Sequence, residues 1–192
     1  MSIATTEKLT PAQYLERERA AETKNEFLNG EVIPMVGASR EHNLIGVNIA
    51  SLLRQQLHER DCEVYGSDMR VRVDTEGLYT YPDVIVVCGE PQFEDAEVDT
   101  LLNPGVIVEV LSASTEAYDR GRKFEYYRTL DSLTDYILVS QDRHVIDHFT
   151  RTPENTWVLA EVREPDGTLE IPSIGCRVPL AEVYHKVGLS AK

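Results

Sequence analysis

Residues 40–60 set Leu44, Val47, Leu52, Leu53 and Leu57 near helical spacing, with polar residues between them and Ser39 in place as a cap, so this stretch predicts a helix. Upstream, Thr10 followed by Pro11 reads as an N-cap and first helical position for a helix through QYLERERAAE. Asn29-Gly30, between Phe27-Leu28 and Val32-Ile33, predicts a two-residue β-hairpin. After Cys62 the period changes: EVYGSDMRVRV alternates, and YPDVIVVC and GVIVEVLS are β-branched apolar runs, together predicting three consecutive strands of one sheet. A helix from about Thr115 to Leu130 is expected next, weakened by Gly121 inside it. DYILVSQ, HVIDHFT and WVLAEVRE read as strands, Asp166-Gly167 as a turn before TLEIP, and PLAEVYHKV as a short closing helix. Residues 89–104, acidic and ending in Asn103-Pro104-Gly105, predict a loop.

The chain of 192 residues is long enough for one substantial core and does not require two, so a single domain over residues 1–192 is expected. No run approaches the ~18 to 20 apolar residues of a membrane span, and MSIATTEKLT lacks the features of a signal peptide, which predicts a cytoplasmic protein with no membrane partner. Cys62, Cys88 and Cys176 are an odd number without CxxC spacing and are expected as reduced core thiols. The formal charge of −14 repels a polyanion at long range and argues against nucleic acid as a partner. The charge is uneven, however: Glu90, Glu94, Asp95, Glu97 and Asp99 crowd one segment, while Arg120, Arg122, Lys123 and Arg128 offer a local basic surface for DNA.

Two acids stand in apolar company. Asp83 lies between Tyr81-Pro82 and VIVVC, and Glu109 lies within VIVEVL, where an ionised carboxylate costs several kcal/mol (~2 to 5) unless paired or bound to metal. Strand alternation leaves two orientations for Glu109, toward a core or on a solvated face. Carboxylates at the ends of neighbouring strands can share one hard divalent cation, with water completing its octahedron. Lys123, at the head of the helix returning from the Glu109 strand, could then stabilise a hydroxide and the charge of a pentavalent phosphorus; alone it would be a solvated surface lysine. Ser112 and Ser114 sit in no GxSxG elbow, no phosphate-cradling glycine loop occurs, and His144 and His148 lack a third ligand and read as a surface pair. Trp157 is expected in the core.

With these residues in place, the chain resembles the Uma2 or DUF820 family, classed with the PD-(D/E)XK endonucleases. The resemblance runs from about Pro11 to Val145, through NEFLNGEVIPM, EHNLI, YPDVIVV, NPGVIVEVLSAST, DRGRKFEYYR and DYILVS in order. It implies an α/β restriction-endonuclease-like core, a mixed central sheet flanked by helices, with an N-terminal helix and β-hairpin. It further implies a Mg²⁺- or Mn²⁺-dependent endonuclease hydrolysing DNA, with Asp83, Glu109 and the Val110 carbonyl as metal ligands. Lys123 would position the water, Glu26 would be an additional catalytic acid, and His42 is a secondary candidate. The general nuclease pattern puts a lysine two places after the second acid, where this chain has Leu111; in the Uma2-like pattern that lysine moves to the following helix, at Lys123. By resemblance alone a homodimer is expected. The rival reading is a protein that keeps the fold, and even the metal, without cutting.

Overall fold

The structure is a computed structural model describing residues 8–73 and 77–189. Its main layer is a six-stranded mixed sheet in the order β11 (Trp157–Val162), β10 (Ile146–Arg151), β9 (Asp135–Ser140), β8 (Val106–Leu111), β6 (Val84–Cys88), β3 (Cys62–Gly66). Only β8 and β9 within it run parallel, joined by the helical crossover that a parallel pair requires. A second sheet, in the order β2 (Glu31–Pro34), β1 (Asn25–Leu28), β5 (Leu78–Thr80), β4 (Arg70–Val73), β7 (Thr100–Leu101), packs on one face of the first. The other face carries α2 (Arg40–Leu57) and the ribbon of β12 (Thr168–Ile171) and β13 (Cys176–Pro179), followed by α5 (Leu180–Val183).

The local signals explain most of this. The side chain of Thr10 accepts from the Gln13 amide and Gln13 reaches back to the Thr10 amide, a capping box opening α1 (Pro11–Arg19). Asn29 and Gly30 take φ of 50° and 94°, the left-handed pair that a type I′ hairpin needs. Ser39 Oγ accepts from the His42 amide at 3.1 Å to start α2.

Three readings need correction. The buried face of α2 is Ile45, Ile49, Leu53 and Leu57, while Val47 is 57% exposed. The expected face was rotated, because the packed row is a strict i, i+4 stripe and the apolar residues beside it lie on its flanks. Residues 63–73 are also not one strand: the turn Gly66-Ser67-Asp68 breaks them into β3 of the first sheet and β4 of the second. The short β5 and β7 of that second sheet were missed, as was β13. The expected helix from Thr115 to Leu130 becomes α3 (Glu116–Tyr118), a π-turn over Asp119–Lys123 containing Gly121, and α4 (Phe124–Tyr127).

The cysteines are also not three reduced core thiols. Cys62 and Cys88 face each other across the antiparallel β3/β6 pair and form a disulfide, with Cα atoms 4.0 Å apart; only Cys176 is free and buried. Direct cross-strand opposition brings them within bonding reach, which spacing in the chain does not reveal. Closing a loop of 26 residues stabilises by roughly 3 kcal/mol on the chain-entropy account. Thiol titration of the unfolded, unreduced protein should therefore count one free cysteine, and dithiothreitol should lower the melting temperature. Three titratable thiols before reduction would remove the bridge from the account. Among the described residues, no helix is long and apolar enough to cross a membrane.

Candidate functional site

Strand alternation puts Val106, Val108 and Val110 of β8 into the core under α2, while Ile107 and Leu111 face the second sheet. Glu109 therefore faces the second sheet as well. On β6, Val84 and Val86 join the α2 core while Ile85 and Val87 pack toward the second sheet, so Asp83 shares the side of Glu109. Val84 pairs with Val108, and one step beyond that register Asp83 stands opposite Glu109. Between β5 and β6 the chain leaves one sheet for the other at Tyr81-Pro82, where proline supplies no N–H to extend a ladder. At that point Asp83 Oδ2 takes the place of a strand partner, accepting from the Val110 amide at 2.7 Å.

Lys123 arrives from the π-turn, where the wider helical turn carries Asp119 and Lys123 inward together. Its Nζ is 2.9 Å from Glu109 Oε1, 3.4 Å from Glu26 Oε1 and 3.6 Å from Asp119 Oδ1. Tyr127 O–H also donates to Glu109 Oε1, at 2.9 Å, and Thr80 O–H donates to Glu26 Oε1. The ammonium and the three acids around it are all interior: Glu26, Glu109, Asp119 and Lys123 are 8%, 4%, 3% and 5% exposed. The cluster opens at Asp83 and His42, whose side chains are 17% and 18% exposed and whose Oδ2 and Nε2 are 3.4 Å apart.

The electrostatics follow from this crowding. Burial pushes Glu109 well above the ordinary carboxylate range; Lys123 opposes the rise and the charges of Asp119 and Asp83 add to it. Burial likewise raises Asp83, against His42, the Val110 amide, Lys123 and Lys24, and raises Asp119 against Lys123 and Thr115. Lys123 shifts the other way from a typical buried lysine: burial disfavours its charge, but Glu109, Glu26 and Asp119 outweigh that and hold it protonated. One ammonium thus faces more negative charge than it can neutralise.

The described bonds engage Oδ2 of Asp83 and Oε1 of Glu109, and their partner oxygens Oδ1 and Oε2 carry none of them. This donor set fits a hard divalent cation. Among the described residues no group of three or more His, Cys, Asp or Glu side chains is arranged to hold a metal, so an ion at these two carboxylates would need water for the rest of its shell. Val110 sends its N–H toward Asp83, and in a strand the carbonyl of the same residue leaves on the same side.

The structure thus brings Asp83, Glu109, Lys123, Glu26 and His42 together. Sequence reasoning missed Asp119, Thr80 and the Tyr127 hydroxyl as parts of the cluster; Asp119 and Tyr127 stand four residues either side of Lys123, a spacing that could have found them. Tyr127 and Phe124 pack on the sheet as the helix predicts, with Phe124 stacked on Tyr136 at 5.2 Å between centroids. The basic cluster is only partly a surface: Lys123 is interior and Arg120 is paired with Glu116 and Asp147, leaving Arg122 and Arg128 exposed. Ser112 Oγ accepts from the Thr115 amide in the turn that leads into α3. His148 is no surface residue; it is buried with Nε2 2.7 Å from Asp135, and Ser173 gives its hydroxyl to Asp135 instead of the imidazole, so no serine is paired with a base there. Trp157 is half-buried at the margin of the aromatic group.

The sequence profile of Uma2, described as "Putative restriction endonuclease", matches residues 11–181. The uncharacterized protein sll1609 of Synechocystis sp. is 39% identical over 170 residues, covering 88% of this chain and 96% of that protein. A second uncharacterized protein of the same organism, slr1290, is 36% identical over 178 residues, covering 93% and 92%. The crystal structure of a "putative nuclease belonging to DUF820" from Anabaena variabilis superposes with a TM-score of 0.75 at 15% identity, over 92% of this chain and 97% of the other, and so shares the fold. A profile spanning nearly the whole sequence, with two full-length relatives, places this chain in the Uma2 family.

Proposed function

We propose that this protein is a divalent-cation-dependent endonuclease that hydrolyses DNA phosphodiester bonds at the cluster of Asp83, Glu109, Lys123 and Glu26. The observation that carries this reading is the convergence of acids from three separate elements on one buried, charged lysine, with Asp83 standing across the strand pair at the mouth. Structural ion pairs do not require such an excess of negative charge. Asp83, Glu109 and the Val110 carbonyl would hold Mg²⁺ or Mn²⁺, which when bound supplies charge neutralisation at the phosphoryl oxygens and a more acidic water.

The chain's own groups account for the rest. Lys123, kept protonated, presents N–H donors to an attacking oxygen or to the phosphoryl group. Tyr127 fixes the Glu109 carboxylate, and the Val110 amide and His42 fix that of Asp83, so the two acids are oriented before any ligand arrives. Glu26, held by Thr80 and 3.4 Å from the Lys123 ammonium, would serve as the additional acid of the site. DNA would approach over the Asp83 and His42 opening, with Arg122 and Arg128 as exposed cations and a second copy of the chain as partner. The rival reading, a nuclease fold that binds without cutting, draws support from the charge of −14 and from the close Lys123–Glu109 contact.

Supercoiled plasmid incubated with purified protein, with and without Mg²⁺, separates the two. Nicking that depends on the cation supports the enzyme, and intact plasmid under both conditions selects the non-cutting protein.

A further inference from the structure

Tyr118 was not singled out by any motif, yet its hydroxyl is the most isolated polar group near the cluster. Its oxygen is shut off from solvent and, among the described residues, has no hydrogen-bond partner. The charged and polar groups near enough to act on it are Glu26, Lys123, Tyr126 and Asp119, three of them members of the cluster, while the ring itself is only partly buried. It closes α3 just before the π-turn and stands five residues ahead of Lys123, a spacing that a π-turn brings round toward one face. The nearby acids are already engaged: Thr80 bonds Glu26, and Asp119 lies beside Lys123. A buried hydroxyl without a protein partner in a native fold takes its hydrogen bond from an ordered water or from a ligand that displaces it.

We propose that the Tyr118 hydroxyl is an oxyanion donor of this site, bonding a non-bridging oxygen of a phosphoryl group held beside Lys123. The identity of the substrate rests on the nuclease reading; the ligand chemistry, a tetrahedral phosphoryl oxyanion bound together with a divalent cation, does not. A phenol suits the place because it donates without adding charge, and burial, with Glu26 beside it, pushes its pKa up to about 12, so it stays a donor through neutral and mildly alkaline pH.

The test titrates inorganic phosphate into the full-length protein in Mg²⁺, by calorimetry, for wild type and Tyr118→Phe. Wild type should bind phosphate saturably, and the variant should bind it about tenfold more weakly, the usual scale for a hydrogen bond to a charged group. Without ligand, Tyr118→Phe should melt at or above the wild-type temperature, since no bond within the protein is lost. A lower apo melting temperature, equal phosphate affinities, or no saturable phosphate binding by wild type overturns the proposal. Plasmid nicking on the same preparations keeps the two readings apart. A phosphate defect in Tyr118→Phe alongside an inert wild type retains Tyr118 and removes the nuclease, whereas wild-type nicking with unchanged phosphate affinity and turnover in the variant does the reverse.

Discussion

Asp83→Asn is expected to slow Mg²⁺-dependent nicking by on the order of 10²- to 10³-fold while leaving the metal-free protein as stable as wild type or more so. The loss follows from the charge that phosphodiester attack concentrates on oxygen, which an acidic chain cannot neutralise without the cation that Asp83 helps to hold. The gain in stability follows from the pKa direction. A carboxyl raised on folding contributes stability below its unfolded pKa and loses it as pH climbs through the folded one, so at neutral pH the Asp83 charge is a cost. Asparagine keeps an oxygen for the Val110 amide and removes the charge. Glu109→Gln should behave alike in activity, whereas Glu109→Ala would also strip an acceptor from Tyr127 and Lys123 and confuse the stability comparison. Nicking assays and melting, each with and without Mg²⁺, give both halves. Equal nicking by wild type and Asp83→Asn would locate the activity elsewhere, and a wild-type melting temperature indifferent to Mg²⁺ would argue against a bound ion.

What the sequence made legible was whatever depends on short range. Capping at Thr10 and Ser39, the Asn29-Gly30 turn, the strand that Asp83 precedes and the strand that carries Glu109 are written in a few adjacent residues each, and all appear in the structure. The two acids were recognisable because a charge inside a β-branched run is physically anomalous. What needed the third dimension was any pairing between distant segments. Cys62 and Cys88 meet only because β3 and β6 are neighbours in a particular register. The second sheet joins the predicted hairpin and the RVRV segment to β5 and β7, strands of three and two residues that are too short for periodicity to show, and it delivers Glu26 and Thr80 to the cluster. The π-turn was invisible as well: Gly121 signalled a weak helix, and the outcome is an altered helical pitch that admits Asp119 beside Lys123. Charge counting misled for the same reason, since it treated Arg120 and Lys123 as surface when one is paired and the other buried.

Lys123→Met is expected to carry the largest stability cost in the protein, and one that grows with pH. The methionine fills a similar volume but leaves Glu109, Glu26 and Asp119 without their countercharge, and removing one side of such a buried arrangement costs ~3 to 5 kcal/mol at neutral pH. In wild type the raised lysine pKa means its stabilising charge is complete below the unfolded value of about 10.4, so it is constant between pH 5 and 8. In the variant, Glu109 and Asp119, already raised by burial, lose their strongest opposing charge and rise further. Their contribution is present below the unfolded carboxylate pKa of about 4 and is lost as pH rises through the folded values, so the variant weakens from pH 5 to pH 8 faster than wild type does. Melting curves across that range, free of divalent cations, should diverge toward alkaline pH; parallel curves would mean that Lys123 does not neutralise these acids. Mg²⁺ should then stabilise Lys123→Met more than wild type, because the ion meets a larger uncompensated charge, yet nicking should stay absent. A variant that regains stability with Mg²⁺ but not cleavage would separate the part of Lys123 that holds the acids together from the part that acts on phosphate.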